Sequence, residues 1–105
     1  MTNEDFNLAV DRAFNRTKKV LASKGKEYTY GKDRLSQFKK AGAVNSEWPT
    51  ESLWGMGIKP ITSIAEMVKT PDQYSTKEWL EKVTDARNYL FLLEALLIDL
   101  EVIDE

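Results

Sequence analysis

The stretch from Lys24 to Lys40, KGKEYTYGKDRLSQFKK, combines positive charge with aromatic side chains in a chain whose formal net charge is -2. Cations and helix N-termini attract phosphate, and tyrosine rings are faces on which a nucleobase stacks. Asp33 stands where it would cap a short basic helix whose free amides face this connector. The pattern predicts a site for a phosphate-bearing small molecule, and the alternative interpretation is a solvated lysine-rich loop.

A second group of polar residues lies in the C-terminal third, where Glu81, Asp85 and Asn88 have the spacing i, i+4, i+7 and share one side of a helix. Two carboxylates one turn apart bind a divalent ion or a basic side chain, and an amide hydrogen-bonds a base or a phosphate. Glu66, an acid in an apolar segment, is the candidate to face Asp85 across a bundle. Ordinary surface acids are the alternative interpretation.

Composition limits the chemistry. With no Cys and no His among 105 residues, disulfides, zinc sites and the commonest general base near neutral pH are excluded, so catalysis would need carboxylates, Lys, Tyr or magnesium. A pI near 5.3 and an acidic C-terminal third argue against long nucleic acid as the ligand. The N-terminus is polar, and no apolar run reaches the roughly 18 residues of a membrane helix, so we expect a cytoplasmic protein without a membrane partner.

The elements that must position these residues are helical, and we expect an all-α bundle of about four helices in a single domain over residues 1–105. Capping residues and glycines predict the bounds Thr2 to just before Gly25, Asp33 to about Ala41, Thr50 to Lys69, and Ser75 onwards. Gly55, Gly57 and Pro60 disfavour helix in the third segment, so we expect a kink or a break near residues 57–60.

The fourth helix is long, and Ser75 with Glu78 forms a capping box at its start. Apolar residues then alternate at spacings of four and three, which is a heptad seam over three repeats: Trp79, Val83, Ala86, Leu90, Leu93, Leu97 and Leu100. Further apolar residues beside this heptad seam make the helix apolar on several sides. We therefore expect homo-oligomerisation through the first and fourth helices, with a monomeric bundle around a central helix as the alternative.

Three stretches, DRLSQFKKAG, LWGMGIKPITSI and EKVTDARNYLFLLEALL, together resemble a group of small helical phage proteins related to a nucleotide-modification-associated domain. The likeness runs from about Tyr28 to Leu97. Carried over by position, it implies roles for Arg34, Phe38, Lys59, Glu81, Asp85, Asn88 and Tyr89. Gln37 and Pro60 depart from that family, which has asparagine and histidine there.

The third of these stretches also resembles the all-helical nucleoside triphosphate pyrophosphatases. In those enzymes, magnesium is bound by glutamates from one helix and by a glutamate and an aspartate from another. Here Lys82 stands three residues before Asp85, and Glu66 lacks neighbouring acids. The resemblance to a working hydrolase is therefore partial.

Three functional hypotheses follow. The leading one is non-catalytic binding and sequestration of a phosphorylated nucleotide, linear or cyclic, as in a phage protein that removes a host-defence signal in the infected cell's cytoplasm. It assigns no catalytic residue, metal or cofactor, and its ligand-binding residues are Lys26, Tyr28, Tyr30, Lys32, Arg34, Phe38, Trp54, Lys59, Asp85 and Asn88. The second is a magnesium-dependent nucleotide pyrophosphohydrolase using Glu66, Glu81 and Asp85. The third is a structural or partner-binding helical oligomer without a small ligand.

Overall fold

The computed structural model describes the backbone of residues 1–28 and 33–105, and the side chains of residues 1–25 and 33–105. Four α-helices follow one another: α1 (Asn3–Tyr28), α2 (Ser36–Asn45), α3 (Pro49–Met67) and α4 (Thr76–Asp99), with a 3-10 turn at Pro71–Gln73 before α4. The described residues include no β-strand. The predicted all-α class, with four helices and a long C-terminal helix, is confirmed.

Helix α1 begins as the sequence predicts, because the Thr2 hydroxyl accepts a hydrogen bond from the Asp5 N–H at 3.0 Å. The prediction that it ends before Gly25 is wrong, since the helix continues to Tyr28. The Arg34 side chain lies against Gly25, where an added Cβ would stand 3.0 Å from Arg34 Nε. The glycine therefore makes room for a neighbouring side chain inside the helix and does not end it.

Helix α2 begins later and ends later than predicted. Asp33 does not cap it directly; its Oδ1 accepts the Leu35 N–H at 2.9 Å and shapes a turn, and the helix starts at Ser36. It continues past Ala41 to Asn45 and ends where Ser46 takes the left-handed conformation, with φ of 54°. Leu35 and Phe38 are both buried.

Helix α3 begins at Pro49, whose fixed φ suits the first helical position, so the predicted cap at Thr50 is wrong. The Trp48 N–H donates to the Glu51 carboxylate at 3.2 Å. Of the predicted kink or break near residues 57–60, the break is wrong: the helix is continuous, with Gly57 and Pro60 both buried. Packing in the folded chain overrides the poor intrinsic propensity of these two residues, and Gly57 lies against Tyr89 of α4.

Helix α4 has the predicted capping box: the Glu78 N–H donates to Ser75 Oγ at 3.1 Å, and the Ser75 N–H donates to Glu78 Oε1 at 3.2 Å. The 3-10 turn is fastened to its first turn, because Trp79 Nε1–H donates to the Pro71 carbonyl at 2.9 Å. The Trp79 ring also meets the Tyr74 ring edge-on, with centroids 6.0 Å apart.

The core is small and is built by three of the four helices with the turn before α2. Leu35, Phe38, Leu53 and Leu96 form it, and Leu92 and Leu93 of α4 pack against its edge together with Tyr89 and Leu100. Helix α1 lies against α4 and outside this cluster. No helix in the described ranges is long and apolar enough to span a membrane.

The contact between α1 and α4 is largely polar at its centre. Arg87 Nη1 donates to the Ala13 carbonyl at 3.1 Å and to Thr17 Oγ1 at 3.0 Å. Beside it, the Phe14 and Phe91 rings stand 6.1 Å apart between centroids. These contacts attach α1 to α4 and bring its second half next to the turn before α2.

Candidate functional site

One candidate site is an enclosed cavity of about 260 Å³ to which α1, α2, α3, α4 and the turn before α2 all contribute. We call it the Asn88 cavity, and its lining residues are Leu21, Lys24, Arg34, Gln37, Phe38, Met56, Asp85, Asn88, Tyr89 and Leu92. Its wall combines apolar side chains with two cations, one carboxylate and two amides. This is the composition of a small-molecule site in which a few polar groups fix the orientation of a ligand.

Asn88 is the most unusual residue in this wall. It is only 3% exposed, and neither its Oδ1 nor its Nδ2 has a hydrogen-bond partner among the described residues. Burying an unpaired polar group costs about 1–3 kcal/mol, and nearly all such groups in native proteins are paired. Asn88 therefore holds one acceptor and one donor group available for a molecule in the cavity.

Arg34, which lines the same cavity, is in a similar state. Its Nη2 donates to the Leu21 carbonyl of α1 at 3.4 Å, whereas its Nη1 is buried without a partner in the described part of the chain. Lys24 of α1 supplies a second cation, and Asp85 supplies a carboxylate one turn before Asn88. The site thus has unused guanidinium and carboxamide hydrogen-bonding groups within one small cavity.

The turn that carries Arg34 is tied to the end of α4 by ion pairs. Lys39 Nζ lies 2.7 Å from Asp33 Oδ2 and 2.5 Å from Asp99 Oδ2. The hydrogen bond from Lys39, followed by that from the Leu35 N–H, lowers the pKa of Asp33 below its ordinary 3.8. The same hydrogen bond to Asp33, followed by that to Asp99, raises the pKa of Lys39 above its ordinary 10.5.

A larger and more open cavity of about 610 Å³ lies between α3 and the first half of α4. We call it the Lys59 cavity, and its lining residues are Ile58, Lys59, Thr62, Ser63, Glu66, Met67, Tyr74, Glu78, Glu81 and Lys82. Glu66 and Glu81 line it together, whereas Asp85 lines the Asn88 cavity. Across residues 1–25 and 33–105, no group of three or more His, Cys, Asp or Glu side chains is placed to hold a metal ion.

The structure brings together four of the residues that the sequence predicts for ligand binding: Arg34, Phe38, Asp85 and Asn88 line the same cavity. Lys59 lines the other cavity. Trp54 is 48% exposed on α3 and is not among the described lining residues of either cavity.

The remaining four predicted ligand residues lie where the structure does not describe them. Tyr30 and Lys32 are outside the described residues, and the side chains of Lys26 and Tyr28 at the end of α1 are outside them as well.

Sequence reasoning missed part of the cavity wall and the depth of Asn88. Met56 and Leu92 gave no functional signal in the sequence. The burial of Asn88 had one: Thr84, Asn88, Leu92 and Leu96 recur every four residues, a spacing typical of one helix face. The heptad seam on another side of α4 is the stronger pattern in the sequence.

No protein-family model, no curated protein and no solved structure matches this chain. The resemblance to the small phage proteins and to the all-helical pyrophosphatases therefore stays a prediction.

Proposed function

We propose that this chain binds a phosphorylated nucleotide in the Asn88 cavity and sequesters it without hydrolysis. The observation that carries the proposal is the pair of unused hydrogen-bonding groups in one cavity wall, the Asn88 carboxamide and Arg34 Nη1. A ligand with matching donors and acceptors recovers the free energy that their desolvation costs the empty protein.

Charge and shape support a nucleotide over an uncharged molecule. Arg34 and Lys24 place two cations at the cavity, and guanidinium groups bind phosphate oxygens in a fork. The Asn88 amide offers a donor and an acceptor side by side, which matches the edge of a base, and Asp85 accepts hydrogen bonds from amino groups on a base. Tyr89 contributes an aromatic ring to the same wall.

The size of the cavity limits how much of the ligand it encloses. About 260 Å³ lies just below the range of about 300–1,000 Å³ that encloses drug-sized ligands. We infer that one nucleotide unit enters and that any further unit of a cyclic dinucleotide stays outside the cavity.

Binding without turnover is favoured because Asp85 is the only carboxylate among the described residues of this wall. Magnesium-assisted phosphoryl chemistry uses several oxygen ligands from carboxylates. As part of the same proposal, and resting only on the resemblance to phage proteins, the sequestered molecule is a nucleotide signal of host defence in the cytoplasm.

The test is a thermal-shift screen of the purified chain with nucleoside mono-, di- and triphosphates and cyclic dinucleotides, with and without magnesium. A ligand at a hundred times its dissociation constant adds about 2.7 kcal/mol to stability. We expect a shift with at least one compound and recovery of that compound intact after the protein is denatured by heat. A hydrolysed product would establish the enzymatic hypothesis instead, and no shift with any nucleotide would overturn the proposal.

The matched variants are Arg34→Ala and Lys19→Ala, which each remove one positive charge. Lys19 is exposed on α1 and lies outside the described cavity wall. We expect Arg34→Ala to remain folded and lose the thermal shift, while Lys19→Ala keeps it. If Arg34→Ala unfolds the protein, Arg34 is a structural residue and the proposal loses its phosphate contact.

A further inference from the structure

Helix α4 presents two different faces. Its most buried residues, Thr84, Asn88 and Leu96, face the rest of the fold. The heptad seam lies on another side of the helix, where Leu90 at its centre is 54% exposed. The pattern that is typical of a helix–helix interface is thus only partly covered within one chain.

Helix α1 adds apolar surface next to this side of α4. Phe6 is 55% exposed, and every residue from Asn3 to Leu8 is exposed. Phe14 is half exposed and links α1 to α4 through its ring contact with Phe91, the residue after Leu90. The exposed apolar part of α1 and the open part of the heptad seam therefore flank the same α1–α4 contact.

The chain has more surface than a compact monomer of its size. It exposes 7792 Å² at a mass of 12.1 kDa, whereas a folded monomer of that mass exposes about 6,000 Å². The difference, about 1,800 Å², is larger than the roughly 800 Å² that each partner contributes to a standard interface. Its radius of gyration, 15.7 Å, also exceeds the roughly 13 Å expected for a compact domain of this length.

We propose that this surface binds a second copy of the chain, with the two α4 helices antiparallel about a two-fold axis near Leu90. In an isologous contact the same surface is used twice, so the seam must complement itself. Antiparallel pairing places Leu90 opposite the exposed part of Leu93 of the second copy, whose remaining surface packs against its own core, and places Ala86 opposite Leu97 of the second copy. The exposed part of α1 then covers the edge of the paired helices.

Charge decides between the antiparallel and the parallel arrangement. The basic residues of α4 are all in its first half, at Lys77, Lys82 and Arg87, whereas residues 88–105 contain only acidic charges. A parallel pair would bring two acidic ends together, and like charges across an interface are unfavourable. The first half also carries Glu78, Glu81 and Asp85, so its net charge is zero. An antiparallel pair therefore places each acidic end beside a half without net charge and avoids the repulsion.

The first test is the mass of the full chain in solution by sedimentation velocity and light scattering, from micromolar to submillimolar concentration. We expect a dimer of the 12.1 kDa chain. Leu90→Glu should weaken association more than tenfold with unchanged helix content, because it places a charge at the centre of the seam. The matched control Val44→Glu changes an 83% exposed residue of α2 and should stay dimeric. A monomeric wild-type chain would overturn the proposal and leave this surface to a different protein.

The second test determines whether the two α4 helices are antiparallel or parallel. Because the chain has no cysteine, only the introduced cysteines can form a disulfide. In the antiparallel register Ala86 lies opposite Leu97 of the second copy, so a mixture of Ala86→Cys and Leu97→Cys chains should form a mixed disulfide on oxidation. Ala86→Cys alone should stay uncross-linked. Rapid cross-linking of Ala86→Cys chains to each other would show a parallel pair and overturn the proposed arrangement.

Discussion

Gly57 of α3 lies directly against Tyr89 of α4. A Cβ atom built on Gly57 would stand 3.0 Å from both Cβ and Cγ of Tyr89, which is closer than side-chain carbons normally approach. The absence of a side chain at position 57 therefore sets how closely the two helices cross. Because Tyr89 also lines the Asn88 cavity, this crossing positions part of the site wall.

Gly57→Ala should destabilise the protein by about 1–3 kcal/mol, because the rigid base of the Tyr89 side chain cannot move away without shifting α4. Gly55→Ala is the matched control, since nothing lies within 4 Å of a Cβ at that position. That variant should gain up to about 1 kcal/mol from helix propensity. Urea unfolding of both variants checks the prediction, which fails if they change stability in the same direction.

Gly25→Ala should weaken nucleotide binding without lowering the stability of the fold. The substitution favours the helical backbone of α1 by up to about 1 kcal/mol, yet the new Cβ would stand 3.0 Å from Arg34 Nε and force the guanidinium to shift. We expect unfolding stability equal to or above that of the natural chain, together with nucleotide affinity reduced several-fold. Titration calorimetry beside thermal unfolding measures both quantities. Unchanged affinity would mean that the position of Arg34 does not matter to the ligand.

Replacing the unpaired polar groups of α4 by apolar ones should stabilise the empty protein. Thr84 Oγ1 and both polar atoms of Asn88 are buried without partners among the described residues. Thr84→Val and Asn88→Leu should each raise the free energy of unfolding by about 1 kcal/mol.

The two variants of that pair should differ in nucleotide binding. Asn88→Leu should abolish the nucleotide-induced thermal shift. Thr84→Val should retain it, because Thr84 is not among the described residues of the Asn88 cavity wall. A full shift in Asn88→Leu would show that the amide makes no contact with the ligand.

The ion pairs around Lys39 predict an acid-sensitive contribution to stability. Because the folded protein lowers the pKa of Asp33, its stabilisation is present above pH 3.8 and is lost as the pH falls through the lower folded value. Asp33→Asn removes the charge and keeps an acceptor for the Leu35 N–H. Melting temperatures should differ between this variant and the natural chain above that window and converge below it. If the melting temperatures still differ at the lowest pH, the substitution acts through the geometry of the turn and not through the charge of Asp33.

The helices themselves were largely predictable from the sequence, because local signals specify them. The capping box of Ser75 and Glu78 and the cap at Thr2 appear as predicted. Most of the errors fall at glycines and prolines, and the failed cap at Asp33 is an exception. Gly25, Gly57 and Pro60 look like helix breakers in isolation, but each lies inside a helix, where long-range packing decides the outcome.

The site was predictable in its residue types more than in its arrangement. Four residues that the sequence predicts for ligand binding do share one cavity: Arg34, Phe38, Asp85 and Asn88. The separation of Lys59 and Glu81 from them depends on how α3 and α4 cross, and the sequence of neither helix contains that information by itself. The burial of Asn88 likewise arises only in the assembled fold, where residues of all four helices surround the cavity that it lines.

The inward placement of Gly57 and Pro60 has a consequence for the order in which the chain folds. A helix that contains two glycines and a proline is unstable alone, so α3 gains its structure only when it docks onto a partner. Helix α4 has neither residue and carries its own capping box, so it is the natural nucleus. In a kinetic experiment, mutations in α4 would slow refolding, while mutations in α3 would mainly speed unfolding.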